Sequence, residues 1–502
     1  MKSELVQIPP EKTMLVSLLF LTFFLAIASP QKNPHFVDNH STIVHLFEWK
    51  WKDIAQECEN FLAPHGYAGV QISPPNENLI LNSRPWFERY QPVSYNLNTR
   101  SGNEKDLEEM SRRCNKVGVR IYADIVFNHM TGGDGYGTAG NRGESSNDNY
   151  PGVPYSREHF HPPCAIDNYQ DAYVVRNCEL VGLRDLNQTQ EYVREKIVGF
   201  LNNLIDLGLA GFRIDAAKHM LPEDLSIIFG RLKDLNTDYG FAPGSRAFIY
   251  QEVPGHGGEA ISREDYTGVG RILEFWHGNR LGTVFRKNDK LMYLSNWGTE
   301  WGLLQGSDTV VFIDNHDTQR SDATTLTYKD SKLYKMASAF MLAHPYEGVG
   351  RVMSSFDFVD TNTPPPQDSN GNLISPGFNS DNTCTNGYIC EHRWREIYAM
   401  VKFRNVVEGT GINDWQTLAD QQVAFCRGNK GFIVFNNEGN IDRTVHACVP
   451  PGEYCDVISG DLVNGKCTGR VVVVDQNCDT HISLYESEMD GVIAIHQDSK
   501  IN

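Results

Sequence analysis

Three acidic residues stand at the ends of short, largely apolar runs. The runs GFRID, FIYQE and VFIDNHD end in Asp215, Glu252 and Asp317. Barrel enzymes carry their reactive groups at the C-terminal ends of strands, so we expect these carboxyls to meet on one rim. Carboxyls that crowd together perturb one another's pKa and suit acid and base catalysis. Each acid taken alone could instead cap the helix that follows its strand.

The elements that must position these acids form a regular alternation. From about residue 43 to 400, short β-branched runs alternate with amphipathic stretches, which predicts a parallel sheet. With a last candidate at Arg351–Met353, the strands match a (β/α)8 TIM barrel, an α/β fold. The other expected strands are Ile43–Phe47, Gly69–Ser73, Arg120–Val126, Gly211–Asp215, Phe248–Glu252, Ile272–Phe275 and Val310–Asp314.

Two regions depart from this alternation. Residues 131–163, after the third strand, are rich in Gly, Asn, Asp and Pro, which predicts an inserted subdomain over 130–190. Beyond residue 408 the period becomes two, which predicts a C-terminal all-β Greek-key sandwich over 408–502 and leaves 31–407 for the barrel. The sandwich strands are expected at Gly431–Phe435, Val457–Ile458, Arg470–Val474 and Val492–Ile495.

Charge and hydropathy exclude some classes of protein. The formal net charge of −18 makes nucleic acid an unfavourable partner, because phosphates attract basic surfaces. A single long apolar run excludes a polytopic membrane protein. That run, Met14–Ala28, has the length of a signal-peptide core and predicts a secreted, extracellular protein whose residues 1–30 are removed.

The leader and the cysteines leave alternatives open. The segment before the apolar run holds two acidic residues beside two lysines, so Met14 could be the true start, or the run could remain as an anchor. Most of the eleven cysteines of a secreted chain should pair, and the odd number leaves at least one free or intermolecular. Their spacing does not suit a zinc site.

Four motifs resemble those of a known family. The stretches DIVFNH (124–129), GFRIDAAKH (211–219), QEV (251–253) and FIDNHD (312–317) are similar to those of the animal, chloride-dependent α-amylases, which are (β/α)8 glycoside hydrolases. Further similar stretches are IVHLFEW (43–49), RPWFERYQP (84–92) and CDVISG (455–460). The resemblance spans nearly the whole chain after the leader. It implies a secreted endo-α-1,4-glucan hydrolase that degrades starch and glycogen to maltose and maltooligosaccharides.

The resemblance assigns roles to individual residues. It implies that Asp215 is the nucleophile, Glu252 the general acid and base, and Asp317 the carboxylate that supports the transition state. Such a retaining pair has carboxyl groups roughly 5 to 5.5 Å apart. Residues expected to contact sugar are Trp86, Phe87, Tyr90, His129, Tyr169, Lys218, His219 and His316.

An anion site is expected below the acids. Residues two apart in a strand face the same way, which puts Arg213 under Asp215 and Asn315 under Asp317. A buried guanidinium is costly without a neutralising anion, and Asp215 would be a weaker nucleophile if it served as that anion. The resemblance implies a separate activating chloride held by Arg213, Asn315 and Arg351.

The resemblance also implies a structural calcium ion. Its ligands would be the side chains of Asn128 and Asp185 and the backbone carbonyls of Arg176 and His219, all oxygen donors as calcium prefers. Because these ligands come from separate segments, the ion would tie the inserted subdomain to the barrel.

The resemblance also implies disulfide pairs, whereas one loop differs from that of the family. It pairs Cys58 with Cys114, Cys164 with Cys178, Cys384 with Cys390 and Cys455 with Cys467. A further bridge among Cys426, Cys448 and Cys478 would leave one thiol, and the sequence does not choose the pair. The segment 321–326 has no glycine, unlike the glycine-rich loop of vertebrate relatives, which predicts a shorter and more open cleft.

Other functions share these motifs. An α-glucosidase or a transglycosylase of the same family would carry the same three acids, and a non-catalytic sugar-binding paralogue would share the fold. The intact set of Asp215, Glu252 and Asp317 argues against loss of catalysis. We expect a monomer that acts on polysaccharide, with no nucleic-acid partner and no membrane contact after signal cleavage.

Overall fold

A closed barrel of parallel strands forms the centre of the molecule, in a computed structural model that describes residues 30–37, 39–255 and 257–501. The apolar run Met14–Ala28 lies outside the described residues. Each barrel strand pairs in parallel with its neighbours, and β1 closes the circle against β8, which confirms the predicted (β/α)8 barrel. The strands are β1 (Thr42–Leu46), β2 (Gly69–Ile72), β3 (Arg120–Ile125), β4 (Gly211–Ile214), β5 (Phe248–Gln251), β6 (Arg271–Glu274), β7 (Thr309–Val311) and β8 (Val349–Ser354).

Helices surround the barrel because their apolar stripes bury against it. Val193, Ile197 and Leu201 of α4 recur at helical spacing and are fully buried. Helix α2 begins with a capping box in which Asn103 and Asp106 satisfy each other's backbone N–H groups. The helices are α1 (Trp51–Glu57), α2 (Glu104–Lys116), α3 (Ala172–Asn177), α4 (Glu191–Asp206), α5 (Pro222–Gly230), α6 (Phe275–Phe285), α7 (Thr318–Ser321), α8 (Ser331–Ala343) and α9 (Arg395–Val406).

The long connection between β3 and β4 folds into short pieces. It contains the two-residue ladders of His129–Met130 with Arg184–Asp185 and of Gly135–Tyr136 with Arg142–Gly143, followed by α3. Such short elements suit a segment rich in Gly, Asn, Asp and Pro, which favour turns over long strands. The insertion after the third strand is therefore present as predicted.

Two four-stranded antiparallel sheets form the C-terminal sandwich. Their strands are β9 (Ile412–Ala419), β10 (Gln422–Arg427), β11 (Gly431–Asn436), β12 (Ile441–His446), β13 (Gly452–Cys455), β14 (Val471–Val474), β15 (Asp479–Leu484) and β16 (Val492–His496). The first sheet has the order β9-β10-β11-β16 and the second the order β12-β15-β14-β13.

One expected strand is wrong. Val457 and Ile458 lie in a turn that follows β13. The Asp456 carboxylate accepts a hydrogen bond from the backbone N–H of Ile458 at 3.2 Å, which holds the turn. Ile458 is apolar because the turn itself is buried, with 2% of the residue exposed, rather than because it belongs to a ladder.

One face of the first sheet joins the hydrophobic core of the barrel, and the two sheets bury a second core between them. Phe340 of α8 packs edge-on against Phe425 of β10 and Phe435 of β11, with ring centroids 6.2 and 5.8 Å apart. Arg427 of β10 donates hydrogen bonds to the carbonyl of Ala343, the last residue of α8, and to that of Thr410. A cation at a helix C-terminus is favourable because it meets the negative end of the helix dipole.

The disulfides agree with the resemblance. All four expected pairs are present, and Cys426 is bonded to Cys448, which leaves Cys478 as a free, half-buried thiol. Within the described part of the chain, none of the helices has the length and apolar character needed to span a membrane.

Candidate active site

A cavity of about 830 Å³ opens at the C-terminal ends of the barrel strands. Asp215 directly follows β4, Glu252 directly follows β5, and Asp317 lies in the segment after β7. All three acids line the cavity. So do all the residues that we expected to contact sugar, which are Trp86, Phe87, Tyr90, His129, Tyr169, Lys218, His219 and His316.

Arg213 of β4 joins two of the acids. Its Nη1 atom donates to Asp215 Oδ1 at 2.6 Å, and its Nη2 atom lies 3.0 Å from Glu252 Oε1. The same Nη1 atom donates to Asp124 Oδ1 at 2.6 Å. The prediction that Arg213 and Asp215 share a face of the strand is confirmed. Because one guanidinium contacts both Asp215 and Glu252, these two carboxyls must be neighbours.

The turn after β4 supplies a further contact to Glu252. The backbone N–H of Ala216 donates to Glu252 Oε2 at 2.8 Å. Ala216 adopts a left-handed conformation with φ 50°, which is unfavourable for a residue with a Cβ. The strained backbone of Ala216 thus directs its N–H group at the Glu252 carboxyl.

Burial and charge set the protonation of the acids. Burial raises the pKa of Asp215 well above its ordinary value, Glu252 and Asp124 raise it further, and Arg213 opposes them. Burial opposes the ionisation of Asp317 as well, but His316, Arg213 and Arg320 together outweigh it and lower the pKa of that carboxyl.

His316 is fixed between two rings. Phe47 stacks on one side with centroids 5.0 Å apart, and Tyr90 stacks with centroids 5.1 Å apart. The Nε2 atom of His316 then lies 3.1 Å from Asp317 Oδ2. Tyr90 is itself held, because its hydroxyl donates to Asp124 Oδ2 at 2.8 Å.

Aromatic and basic groups line the two ends of the cavity. At one end, the indole Nε1 of Trp86 donates to the carbonyl of Thr361 at 2.8 Å, which fixes the ring. At the other end, Lys218 donates to the carbonyl of Pro254 at 2.9 Å, pairs with Glu259 and lies 5.1 Å from the ring centre of Tyr169.

Two histidines of the cavity are neutral near pH 7. Burial lowers the pKa of both His129 and His219 to about 4. His129 Nε2 lies 3.0 Å from the carbonyl oxygen of Tyr90, and His219 Nδ1 lies 2.9 Å from that of Val175. Each ring therefore donates a hydrogen bond to a carbonyl and carries no charge that would attract an anion.

Buried donors lie below the acids. Among the described residues, Arg213 Nε and Arg351 Nη2 have no hydrogen-bond partner, although both are shielded from water. Arg351 Nη1 donates to Gln71 Oε1 at 2.8 Å. Asn315 Oδ1 accepts from the backbone N–H groups of Asp317 and Thr318 at 3.0 and 2.7 Å. Two repelling guanidiniums with spare donors fit the expected anion site.

The segments that carry the expected calcium ligands contact one another. Asn128 Oδ1 is buried and has no partner among the described residues. The ladder that pairs His129 with Asp185 brings the two chain segments together, and Asp185 Oδ2 lies 2.7 Å from His161 Nδ1. Burial raises the pKa of Asp185 to about 6. The contact between His219 and Val175 brings α3, which contains Arg176, to the same place. The unpaired buried oxygen of Asn128 suits a hard cation.

The structure adds functional residues that the sequence reasoning did not assign. Asp124 lies within the DIVFNH motif, and its pairing partner in the barrel register is Arg213. A carboxylate inside an otherwise apolar strand was the available signal. Glu259, the partner of Lys218, carried no pattern that would have identified it.

Family models match both parts of the chain. The one described as "Alpha amylase, catalytic domain" matches residues 66–295, and the one described as "Alpha amylase, C-terminal all-beta domain" matches residues 413–498. The first matched region contains Asp215 and Glu252.

Relatives and solved structures match over most of their length. The chain is 59% identical to an α-amylase of Tenebrio molitor over 472 residues, which is 94% of this chain and 100% of the relative. It is 54% identical to an α-amylase-related protein of Drosophila auraria, over 96% of this chain and 99% of the relative. The crystal structure of α-amylase I from Eisenia fetida has a TM-score of 0.87 at 45% identity, covering 92% of this chain and 98% of that one. A glutamate-to-glutamine mutant of that protein with maltohexaose has a TM-score of 0.88 at 44% identity, with the same coverage.

Proposed function

Since the chain belongs to the α-amylase family, we propose that Asp215 and Glu252 carry out retaining, endo-acting hydrolysis of α-1,4-glucosidic bonds. The substrates are starch and glycogen, and the products are maltose and maltooligosaccharides. The observation that carries these roles is the single guanidinium of Arg213, which touches both carboxyls inside a cavity lined by aromatic and polar side chains. The maltohexaose bound to the Eisenia fetida mutant supports an oligosaccharide as the ligand.

In the first step Glu252 is the acid. Its proton passes to the glycosidic oxygen while an oxygen of Asp215 attacks the anomeric carbon, so the bond to the leaving chain breaks and a glycosyl ester forms. Arg213 holds Asp215 Oδ1, which leaves Oδ2 to attack. The leaving chain departs with a free hydroxyl group.

In the second step Glu252 is the base. It takes a proton from water as the water oxygen attacks the anomeric carbon from the face that the leaving chain vacated. The ester bond to Asp215 breaks, and Asp215 departs as a carboxylate. Two inversions restore the α configuration. The Ala216 N–H group, 2.8 Å from Glu252 Oε2, keeps the carboxyl in one orientation through both steps.

Asp317 and the histidines position the sugar. The lowered pKa of Asp317 keeps it ionised, so it accepts hydrogen bonds from sugar hydroxyls and stabilises the positive charge that develops at the anomeric carbon. Neutral His129 offers no competing positive charge to that centre. Trp86 and Tyr90 present ring faces to the sugars on one side of the scissile bond, and Lys218 contacts those on the other.

Two ions are part of the proposal. Chloride at Arg213, Asn315 and Arg351 would supply a fixed negative charge that balances the two buried guanidiniums and favours the protonated form of Glu252. Calcium at the Asn128 and Asp185 side chains, with the carbonyls of Arg176 and His219, would fix the inserted subdomain against the barrel.

The leader and the disulfides support secretion. A signal peptide within residues 1–30 agrees with five disulfide bonds, which persist in oxidising compartments. We propose that the mature chain acts outside the cell as a monomer.

Amylose hydrolysis by the purified mature chain tests the function. We expect the iodine staining of amylose to fall well before reducing ends accumulate, because internal bonds are cut first. The new reducing ends should appear as α anomers by NMR. Asp215→Asn should lower kcat by about a thousandfold or more, because no nucleophile remains. Asp206→Asn, at an exposed surface position, is the matched control.

The alternatives give different results. Glucose released from maltose as the main product would indicate an α-glucosidase, and chain lengthening would indicate a transglycosylase. A wild-type chain that binds amylose without cutting it would indicate a non-catalytic paralogue.

A further inference from the structure

A second cavity of about 700 Å³ meets the active-site cavity at the catalytic acids. The residues shared by the two cavities are Glu252, Pro254 and Asp317. In the proposed mechanism the first cavity, whose lining includes Trp86 and Glu259, holds the main chain on both sides of the scissile bond. The binding space therefore has three arms that meet where the bond is cut, whereas a linear glucan has only two directions to fill.

The lining of the second cavity has the chemistry of a sugar site. Phe275 and Trp276 of α6 are partly buried and line it together with the amide of Asn279. Hydroxyl groups come from Thr318 and Ser321 of α7. The described residues of this lining include no lysine, arginine or histidine, so a neutral, hydroxyl-rich ligand fits better than an anion.

Trp276 is held so that its ring borders the cavity. The Arg280 guanidinium covers the indole from one side, 4.6 Å from the ring centre. The Trp276 backbone N–H donates to Glu274 at 3.2 Å, which fixes the first turn of α6. A fixed, half-exposed ring gives contact area to a sugar at little cost in side-chain entropy.

The segment 322–325 forms the outer wall of this cavity and packs against α6. Asn279 donates to the Thr324 hydroxyl at 2.6 Å, and Asp322 accepts from the N–H group of Thr324 at 2.8 Å. A Cβ on Gly282 of α6 would lie 2.4 Å from the Thr324 carbonyl oxygen, so the absence of a side chain there lets the segment pack on the helix. The segment 322–325 thus stands beside the cavity and does not cross the cleft.

From this geometry we propose that the second cavity binds an α-1,6-linked glucosyl branch of the substrate. The proposal rests on the α-1,4-glucan hydrolase function given above. A branch on the glucose beside the scissile bond enters the third arm while the main chain occupies the first cavity. The enzyme therefore cuts α-1,4 bonds next to branch points of glycogen and amylopectin.

The test compares linear maltoheptaose with the same heptaose carrying one α-1,6-linked glucosyl branch. Trp276→Ala removes the ring, and Ala323→Trp fills the cavity from an exposed position on its wall. Ala419→Trp, exposed on the C-terminal sandwich, is the matched control for added bulk. Thermal unfolding of every variant checks that the chain is folded.

We expect the wild type to cut beside the branch. Trp276→Ala and Ala323→Trp should each lower kcat/KM on the branched heptaose by about tenfold, the size of one lost ring contact. On the linear heptaose kcat/KM should change by less than about twofold, as for Ala419→Trp. Both variants should also leave larger branched end products from glycogen.

Other outcomes separate the two proposals. Equal losses on both heptaoses, or no loss on the branched one, would overturn the branch site and leave the hydrolase function intact. If Trp276→Ala does not fold, Ala323→Trp alone decides. A wild type that cuts neither heptaose contradicts the proposed function, and the branch site falls with it.

Discussion

Asp124 Oδ1 accepts a hydrogen bond from Arg213 Nη1 at 2.6 Å, across the register pair that joins β3 and β4. Arg213 thus holds three carboxylates, and Asp124 is the one furthest from the substrate cavity, since it is fully buried and does not line it. This carboxylate neutralises part of the guanidinium charge from below. It therefore sets how strongly Arg213 can attract Asp215 and Glu252 above.

Asp124→Asn should move the pH dependence of catalysis. The Asp124 charge raises the pKa of Asp215, so its removal lowers that pKa. The acid limb of kcat/KM should shift to lower pH by up to about one unit. Stability should fall by about 1–3 kcal/mol, because a buried charged hydrogen bond is lost. Asp206→Asn is the control, and an acid limb that stays in place would contradict the argument.

Chloride depletion should lower kcat. Without an anion, the positive charges of Arg213 and Arg351 below the acids are not balanced, which disfavours the proton that the first step requires. Dialysis into sulfate or acetate at constant ionic strength, followed by titration with chloride, measures the effect. Arg351→Gln should raise the chloride concentration needed for half-maximal activation by about tenfold or more. Unchanged activity after exhaustive chloride removal would disprove the site.

Calcium removal should lower the melting temperature. An ion that binds only the folded chain stabilises it by about 2.7 kcal/mol when its concentration is a hundred times its Kd. Asn128→Ala removes a buried oxygen that has no other partner in the described chain, so it should weaken the response to added calcium. Asn288→Ala, at an exposed position, is the matched control. Identical melting curves with and without chelator would exclude the proposed ion.

Glu391→Gln should flatten the pH dependence of stability. Burial raises the pKa of Glu391 to about 8, and nearby Asp314 contributes. The folded state then holds a proton that the unfolded state loses near pH 4.5, so the free energy of unfolding falls as pH rises from about 5 to 8, by up to about 1.4 kcal/mol per pH unit.

A glutamine at position 391 keeps both hydrogen bonds to Ser355 without this titration. Denaturant unfolding at several pH values, with calcium held constant, measures the slope. Glu195→Gln, exposed on α4, should keep the wild-type slope. A Glu391→Gln slope equal to that of the wild type would contradict the raised pKa.

The barrel and most of the site could be predicted because both follow short local patterns. The runs before Asp215 and Glu252 end within one residue of the observed strands. Val457 and Ile458 were misassigned because burial in a turn and burial in a strand select the same apolar residues. Over two residues, the spacing of apolar side chains does not distinguish a buried turn from a buried strand.

Other features depend on contacts between distant segments. The choice of Cys426 with Cys448 depends on how β10 approaches the end of β12, which no spacing encodes. The contact between Asp124 and Arg213 requires the barrel register. The wall of the third arm of the binding space depends on the hydrogen bond from Asn279 to Thr324, a tertiary contact that the sequence does not reveal.

The bond from Arg427 to the last carbonyl of α8 has a consequence for how the chain can be cut. A fragment that stops before Ile412 would lose this cation and would bare the ring of Phe340, which is fully buried against the first sheet in the intact chain. Such a fragment would expose a large apolar face and aggregate. The barrel therefore depends on the sandwich for its stability. On heating, the two parts should unfold together in one cooperative transition.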